Sequence, residues 1–464
     1  MKKYDIIIIG AGITGCFIAY LLSKTNQKVA VLEKDNDVAN GCTNANSAIV
    51  HSGHDPEKGT LKAKFNVIGN KLYRKYAKEL DFPIKDCGAY VVAKNADEEK
   101  IIQKLILNCK ERNINFELLD GVTLRKREPN ANEEITMAIW LPTTAVISPW
   151  KTCFALMNAA IKNGVELFEN SKVEAIKKED VFFSITTNKQ TFLADKIINC
   201  AGLHGDEIAR MFEPDFPYHI EPRIGEYYVL DKSESNIVNS IIYPVPSAKG
   251  KGILAIPTVD GNLLLGPTSE PFEDKENFVT TPEGLENIKR QVKTLVNNLN
   301  FSKVIRVFSG IRPCSDTKDF IIEPSPKDSS FINVIGIDSP GLASAPAIAE
   351  YVVEHLLKLK IIDTDKNVMD KNKQSLSVPP EKYSHIVCRC EQISEGEVIE
   401  AILREPRATS IKAVKKRVRA GMGRCQGGFC EPEVARIISE TLGIPLEKVV
   451  YDGPDSKLFV QNNR

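Results

Sequence analysis

The sequence predicts an α/β protein in which a nucleotide-binding domain is interrupted twice by an antiparallel-sheet domain and followed by a small helical module. Three observations support this fold class. Short apolar runs that end at glycine alternate with helical patterns, as in parallel α/β sheets. The stretches 81–145 and 216–304 instead contain alternating, proline-punctuated segments, which are typical of antiparallel strands. A polar stretch at 361–383 precedes a segment with four cysteines.

The bulk properties exclude several functional classes. Lys+Arg and Asp+Glu both number 61, so no net charge favours binding to nucleic acid or to an anionic membrane. Eleven cysteines without a leader sequence indicate a reducing, cytoplasmic location. No stretch approaches the roughly 18–20 apolar residues that a membrane span needs. We therefore expect any membrane contact to be peripheral and to go through a partner.

The N-terminal elements carry a glycine motif. A buried strand at 3–9 leads into Gly10-Ala-Gly12-Ile-Thr-Gly15, which opens a helix over 13–24. Gly10 permits the tight turn, Gly12 lets the backbone approach a pyrophosphate, and Gly15 lets the helix pack on the strand. The helix N-terminus favours the negative charge of the phosphates.

The next elements extend this motif to a Rossmann-like dinucleotide site. A strand at 28–32 ends at Glu33, whose carboxylate is positioned to accept hydrogen bonds from a ribose. NAD and FAD share this fingerprint. A late strand at 331–337 and a helix over 344–357 would direct a second helix N-terminus at the cofactor, which would stabilise the negative charge of a reduced flavin.

Four motifs carry a family resemblance: the glycine motif, Asn199-Cys-Ala-Gly202, Gly310-Ile-Arg-Pro313 and Gly341-Leu-Ala-Ser-Ala-Pro346. Together they resemble the FAD-dependent glycerol-3-phosphate dehydrogenases of the D-amino-acid oxidase superfamily, over residues 1 to about 360. The resemblance implies FAD as cofactor. It also implies cofactor contacts from Gly10, Gly12, Gly15, Glu33, Asn46, Ser47, Val173, Gly202, Gly341, Leu342 and Ser344.

The C-terminal segment contains two cysteine pairs, Cys388-Arg-Cys390 and Cys425-Gln-Gly-Gly-Phe-Cys430. Zinc sites usually have two C-x₂-C pairs, which this spacing does not match. Four thiolates also suit an iron–sulfur cluster, because soft sulfur ligands select it. The residues alone favour a [2Fe–2S] cluster and leave a zinc site or uninvolved thiols open.

Residues 384–450 are similar to the bacterioferritin-associated-ferredoxin type of [2Fe–2S] domain, through Cys388-Arg-Cys390-Glu and Gly423-Arg-Cys425-Gln-Gly-Gly-Phe-Cys430. The resemblance implies that all four cysteines bind the cluster. The two modules are fused in this way in anaerobic, large-subunit enzymes of the family. The predicted domains are 1–80, 146–215 and 305–360 (FAD-binding), 81–145 and 216–304 (substrate), 361–383 (linker), 384–450 (cluster) and 451–464 (tail).

Basic residues cluster beside the cysteines. They are Lys412, Lys415, Lys416, Arg417, Arg419 and Arg424. One hypothesis is a solvent-exposed helix face, and the other is a docking surface for an electron acceptor, centred on Lys415 and Lys416.

Two residues are candidates for the reacting centre. The segment from Asn46 to Asp55 resembles the family segment that runs past the flavin towards substrate. Within it His51 is the candidate base, because imidazole titrates near neutral pH, and His54 is the second candidate. His51 could instead hold the backbone or the flavin by hydrogen bonds.

Arg312 stands where the family directs an arginine towards a carboxylate or phosphate, and a buried structural ion pair is the alternative. Lys249 or Lys251 could supply a second positive charge for phosphate.

The resemblance implies oxidation of sn-glycerol 3-phosphate to dihydroxyacetone phosphate. Electrons would then pass singly through the [2Fe–2S] cluster to a partner subunit or quinone. The sequence leaves three alternatives open: a dehydrogenase for 2-hydroxy acids such as L-2-hydroxyglutarate, an amino-acid or opine dehydrogenase, and an electron-transfer subunit without its own substrate.

Overall fold

The chain folds around two large β-sheets, and the structure, a computed structural model, describes residues 1–247, 252–362 and 378–459. Lys249, Lys251 and parts of the predicted linker and tail lie outside the described residues. The strands are β1 (Lys2–Ile9), β2 (Val29–Leu32), β3 (Ile49–Val50), β4 (Ile84–Lys85), β5 (Ala89–Ala93), β6 (Glu117–Asp120), β7 (Met137–Leu141), β8 (Ala145–Ile147), β9 (Glu166–Phe168), β10 (Val173–Glu179), β11 (Phe182–Thr187), β12 (Thr191–Asn199), β13 (Ile220–Leu230), β14 (Ile241–Pro244), β15 (Leu254–Pro257), β16 (Leu263–Gly266), β17 (Glu270–Pro271), β18 (Val304–Ser315), β19 (Ile321–Pro324), β20 (Phe331–Ile335), β21 (Ile386–Cys388) and β22 (Ile393–Ser394). The α-helices are α1 (Ile13–Leu22), α2 (Leu61–Leu80), α3 (Ala96–Glu111), α4 (Gly121–Arg127), α5 (Pro149–Lys162), α6 (Gly205–Phe212), α7 (Pro282–Val292), α8 (Gly341–Glu350), α9 (Glu395–Leu403), α10 (Ile411–Val418) and α11 (Glu431–Leu442).

The first sheet has eight strands, with the parallel order β9-β2-β1-β12-β20 at its centre. β10, β11 and β19 extend it by antiparallel pairing. Helix α1 packs on this sheet and against α5 and α8, and all ten of its residues are buried. The carboxyl ends of β1, β2 and β12 therefore lie at one edge, where parallel α/β sheets bind ligands.

The second sheet has nine strands in the order β17-β13-β16-β15-β14-β5-β7-β6, with β18 beside β13. Among the described residues every pairing in it is antiparallel except that of β14 with β5. Helices α3 and α7 pack against it. The predicted fold class is thus confirmed.

Strand β18 spans one predicted domain boundary. The prediction assigned 305–315 to the FAD-binding domain, whereas β18 pairs with β13 along almost its whole length. The strand runs from the second sheet directly to the cofactor side, so no turn marks the domain border. Gly310 makes this passage possible, because a Cβ there would lie 2.0 Å from the carbonyl oxygen of Ala45.

The C-terminal module consists of the hairpin β21–β22 and the helices α9, α10 and α11. Helix α9 begins with a capping box in which the Ser394 hydroxyl accepts from the Glu397 N–H and Glu397 accepts from the Ser394 N–H. Helix α11 has Pro432 in its first turn and ends at Gly443, whose φ of 65° suits glycine. No helix in the described ranges combines the length and the hydropathy needed to cross a bilayer.

Candidate active site

A cavity of 1910 Å³ opens at the carboxyl ends of β1, β2 and β12 and is lined by residues of both sheets and of α10. Sites for drug-sized ligands usually measure roughly 300–1,000 Å³. The larger volume suits a dinucleotide together with a small substrate. All but one of the predicted cofactor residues line it, as do His51 and Arg312.

The glycine motif forms a close turn with one open side. Gly10 has φ +102°, and a Cβ on it would lie 2.5 Å from the carbonyl oxygen of Cys200. A Cβ on Gly15 would lie 2.1 Å from the Gly10 oxygen, so helix and strand are in contact there. A Cβ on Gly12 would meet only Thr43 Oγ1, at 3.3 Å, within 4 Å. The backbone at Gly12 is therefore open to the cavity, as close approach of a pyrophosphate requires.

Glu33 ends β2 and is buried at the cavity edge. Its carboxylate accepts hydrogen bonds from the N–H groups of Ala11 (2.7 Å) and Asp35 (3.0 Å). Burial raises the pKa of Glu33 to about 7, despite these two bonds. The carboxylate retains lone pairs for the hydroxyl groups of a ribose, so it fits the predicted role.

The loop that carries Asn46 and Ser47 is shaped by its own side chains. The Asn46 amide donates to the Thr43 carbonyl (3.0 Å), and its oxygen accepts from the Ala48 N–H (2.8 Å). Ser47 Oγ lies 3.0 Å from the hydroxyl oxygen of Tyr227. Asn46 therefore orients the loop, and both residues still line the cavity.

Of the remaining predicted cofactor residues, Val173, Gly202, Gly341 and Leu342 line the cavity. Ser344 does not, because it is fully buried inside α8 and its hydroxyl donates to the Pro340 carbonyl at 3.1 Å. The contact of Ser344 with the cofactor therefore stays a prediction.

His51 is buried and held from two sides. Its Nδ1 lies 3.0 Å from the hydroxyl oxygen of Tyr243. Its carbonyl oxygen accepts from the side-chain amides of Asn66 (2.8 Å) and Asn70 (3.0 Å). Both the backbone and the ring of His51 are thus fixed beside the cavity. His54 instead lies with Nδ1 3.0 Å from Ser52 Oγ and is not among the residues that line the large cavity.

Arg312 presents an unsatisfied donor. Its Nη2 donates to the Thr268 carbonyl at 3.2 Å, whereas its buried Nη1 has no hydrogen-bond partner among the described residues. The guanidinium lies close over Gly225, where a Cβ would be 2.7 Å from Nη2. A buried guanidinium N–H without a partner is costly, and an anion in the cavity would satisfy it. The described residues offer Arg312 no structural ion pair, which disfavours that alternative.

A second charged group, which no sequence motif marks, lies at this end of the cavity. Lys62 Nζ lies 2.6 Å from Asp338 Oδ1, both side chains are largely buried, and both residues line the cavity. Burial raises the pKa of Asp338, and Lys62 opposes the rise. Lys62 stands at the start of α2 outside any motif, and Asp338 stands more than 270 residues later, so no sequence signal joined them.

The four cysteines form two pairs. Cys390 Sγ lies 3.7 Å from Cys425 Sγ, and the Cys430 thiol donates a hydrogen bond that lowers the pKa of Cys388 to about 5. In the described part of the chain no three Cys, His, Asp or Glu side chains converge on a point that could hold one metal ion. Two separate thiol pairs suit a [2Fe–2S] cluster, in which each iron takes two protein ligands, better than one zinc ion with four.

The basic helix α10 faces the FAD-binding domain, which contradicts both hypotheses for it. Lys415 and Lys416 are 4% and 2% exposed. Asp37 is buried and forms ion pairs with Lys416 (2.8 Å) and Arg417 (2.8 Å). Lys416 also donates to the Val38 carbonyl at 3.0 Å. These cations form an internal interface, so neither a solvated face nor an acceptor site centred on Lys415 and Lys416 is present.

The same interface extends beyond α10. Arg419 binds Asp260 (2.9 Å), Asn262 (2.9 Å) and Glu391 (2.8 Å). Arg424 is the exception among the six basic residues, because it is 71% exposed although it pairs with Asp231 at 3.2 Å.

Comparison with known proteins identifies the class. Residues 5–355 match the family model described as FAD dependent oxidoreductase, and residues 386–440 match that of the BFD-like [2Fe-2S] binding domain. The first match covers most of the chain, so the protein belongs to the family of FAD-dependent oxidoreductases. The predicted cofactors, FAD and a [2Fe–2S] cluster, are confirmed.

Three similar proteins indicate which FAD-dependent oxidoreductases this chain resembles. The chain is 41% identical to a glycerol 3-phosphate dehydrogenase of Caloramator mitchellensis, over 98% of both chains. It is 34% identical to a glycerol 3-phosphate oxidase of Mycoplasma genitalium, over 78% of this chain and 96% of that one. The solved structure of dithionite-reduced L-alpha-glycerophosphate oxidase from Mycoplasma pneumoniae with FAD bound matches with a TM-score of 0.76 and 32% identity, over 79% of this chain and 98% of that one.

Proposed function

We propose that this enzyme oxidises sn-glycerol 3-phosphate to dihydroxyacetone phosphate and passes the electrons through the [2Fe–2S] cluster to a partner protein or quinone. The observation that carries the proposal is the buried, unsatisfied Arg312 Nη1 in the same cavity as the FAD cradle. Phosphate would satisfy this donor, and the similar dehydrogenase from Caloramator mitchellensis is named for this substrate.

FAD, when bound, supplies the acceptor for the hydride of the alcohol carbon, and the cluster supplies a one-electron carrier. The side chains of the protein then have two tasks. Arg312 holds the phosphate and fixes the distance of the alcohol from the proton acceptor. His51 takes the hydroxyl proton at Nε2, while the contact of Nδ1 with the Tyr243 hydroxyl holds the ring in place. Lys62, paired with Asp338, lies near the same end of the cavity.

A 2-hydroxy acid is the second candidate substrate. Arg312 would bind a carboxylate in the same fork geometry as a phosphate. The L-2-hydroxyglutarate dehydrogenase of Escherichia coli K12 is 28% identical over 59% of this chain and 66% of that one, which is a weaker likeness. The phosphate is therefore preferred. We also propose that the enzyme works in the cytoplasm and reaches a membrane only through a partner subunit.

An anaerobic titration of the reconstituted holoenzyme with sn-glycerol 3-phosphate tests the function. Loss of the visible flavin and iron–sulfur absorbance at stoichiometric substrate is the expected result. If dithionite bleaches both centres while sn-glycerol 3-phosphate bleaches neither, this substrate is wrong. Parallel titrations with L-2-hydroxyglutarate and with amino acids would then identify the competing class.

A further inference from the structure

The cluster ligands differ sharply in burial. Cys388 and Cys430 are 1% and 2% exposed, whereas Cys390 is exposed and Cys425 is half-buried. The pair Cys390–Cys425 therefore marks the side of the cluster site that faces solvent. Electron exchange with another protein requires close approach, so this side is where a carrier can reach the cluster.

The module cannot easily turn another side outwards. Helix α10 is attached to the FAD-binding domain by the buried ion pairs of Asp37 with Lys416 and Arg417. Separating the partners of a buried ion pair would leave charges buried and unpaired, which is unfavourable. The solvent-facing side of the cluster site is thus fixed in the folded enzyme.

Two exposed arginines flank this exit. Arg389 is exposed and its guanidinium forms no ion pair with any described residue, and Arg424 is 71% exposed. The only acid within the segments 388–392 and 423–430 is Glu391, whose side chain is 4% exposed and pairs with Arg419 and Lys232. The exposed charge of these two segments is therefore positive, in a chain with no net charge.

An exposed aromatic ring completes the same surface. Phe429 is 86% exposed and directly precedes the ligand Cys430, and its N–H bonds the sulfur of Cys425. Exposed aromatic and arginine side chains are enriched at protein interfaces. A partner that covers this ring would remove its apolar surface from water, which stabilises a complex.

We propose that Arg389, Arg424 and Phe429, around the Cys390–Cys425 pair, form the docking surface for an acidic protein that carries one electron. This inference rests on the proposed function only in that electrons leave through the cluster. Each transfer removes one electron from the cluster and reduces one carrier molecule, with no proton or bond exchanged. Two successive transfers therefore consume the electron pair of one alcohol.

The test uses two carriers of opposite charge: plastocyanin, an acidic blue-copper protein, and cytochrome c, a basic haem protein. The full-length holoenzyme is reduced anaerobically with dithionite, freed of excess reductant and mixed with each oxidised carrier in a stopped-flow instrument. At low ionic strength we expect plastocyanin to be reduced at least tenfold faster than cytochrome c, and salt to remove the difference. Arg389→Glu and Arg424→Glu should each slow plastocyanin about tenfold and accelerate cytochrome c.

Two further variants distinguish a loss of carrier docking from a general loss of electron transfer. Phe429→Ser should slow both protein carriers several-fold and leave the neutral acceptor p-benzoquinone unaffected. Lys448→Glu is the matched charge reversal, because exposed Lys448 lies beyond the far end of α11, about 18 Å of helix from Cys430. It should change no rate, and cluster absorbance verifies loading of every variant.

Equal rates for the two carriers, or arginine variants that behave like Lys448→Glu, would overturn the proposal. Self-association of the enzyme that Phe429→Ser abolishes would also overturn it, because the surface would then bind a second copy. Dithionite makes the test independent of substrate. Failure of sn-glycerol 3-phosphate to reduce the enzyme would therefore remove the proposed substrate and leave the docking result intact.

Discussion

The hydroxyl of Tyr243 orients the ring of His51 through its contact with Nδ1. Burial holds the pKa of Tyr243 well above its usual range, so the phenol stays neutral. For Nε2 to accept a proton, Nδ1 must carry a hydrogen and donate it to the tyrosine oxygen 3.0 Å away. Tyr243 is thus a positioning residue for the proposed base, and it also stabilises the positive charge that the ring acquires.

We expect Tyr243→Phe to slow flavin reduction by substrate about tenfold, at the low end of what proton transfer contributes. Because the charged ring loses its acceptor, the inflection in the pH dependence should move to lower pH. Stopped-flow measurements between pH 5 and 9 would follow both effects. His51→Asn should retain FAD and lose the inflection. A full rate and an unchanged inflection in Tyr243→Phe would mean that the base lies elsewhere.

Glu33, a predicted FAD contact, lowers the stability of the folded apo-protein at neutral pH. Its pKa is raised from 4.5 to about 7 in the folded protein, so folding favours the protonated form. The folded state therefore loses stability as the pH rises from about 4.5 to 7, by at most about 3 kcal/mol. Glu33→Gln should raise the melting temperature of the apo-protein at pH 8 but not at pH 4, and should weaken FAD binding. Equal melting temperatures at pH 8 would contradict this.

Helix α10 marks the boundary of what the sequence could predict at the scale of elements. Its start, its end and its basic character follow from local pattern, as do the glycine turn of β1–α1 and the capping box of α9. The partner of Arg417 is Asp37, 380 positions away, and no local pattern reports such a distance. A run of lysines usually faces solvent, so burial against another domain was not predictable. The same reasoning explains Tyr243 with His51 and Lys62 with Asp338.

The ion pairs of α10 predict how the cluster module stays attached. Burial alone would raise the pKa of Asp37, yet Arg417 and Lys416 hold it below its usual range. This stabilisation is present above the ordinary pKa of the carboxyl and is lost as the pH falls through the lowered value. We expect Asp37→Asn to cost about 3–5 kcal/mol, because two cations remain buried. Hydrogen exchange in α10 should accelerate strongly.

Asp97→Asn provides the control for this element, because Asp97 pairs with Lys100 on an exposed helix face. Such pairs contribute less than about 1 kcal/mol. Exchange in α10 should therefore match that of the wild type. If Asp37→Asn also matched the wild type, the module would be held by its other contacts, such as those of Arg419.

At the scale of the whole molecule, the C-terminal module separates this chain from similar enzymes that are named oxidases. The match with the Mycoplasma genitalium oxidase covers 96% of that enzyme but 78% of this chain. Almost none of that enzyme remains to form a counterpart of the cluster module. The dehydrogenase of Caloramator mitchellensis instead matches over 98% of both chains. Of these two glycerol 3-phosphate enzymes, only the one named a dehydrogenase therefore has length enough to match the module.

Cys425→Ser tests whether the flavin site oxidises the substrate while the cluster module passes the electrons on. The substitution removes a cluster ligand that is half-buried on the solvent-facing side and lies far from the FAD cradle in sequence. Sulfur ligation selects iron–sulfur clusters, so the serine variant should lose the cluster absorbance while it retains FAD. Bleaching of the flavin by substrate should keep its wild-type rate, since His51 and Arg312 are untouched. Reduction of protein carriers should fall at least a hundredfold, whereas reoxidation by dissolved oxygen should persist. If the variant reduced protein carriers at the wild-type rate, the flavin itself would be the exit point, and the module would serve assembly rather than electron transfer.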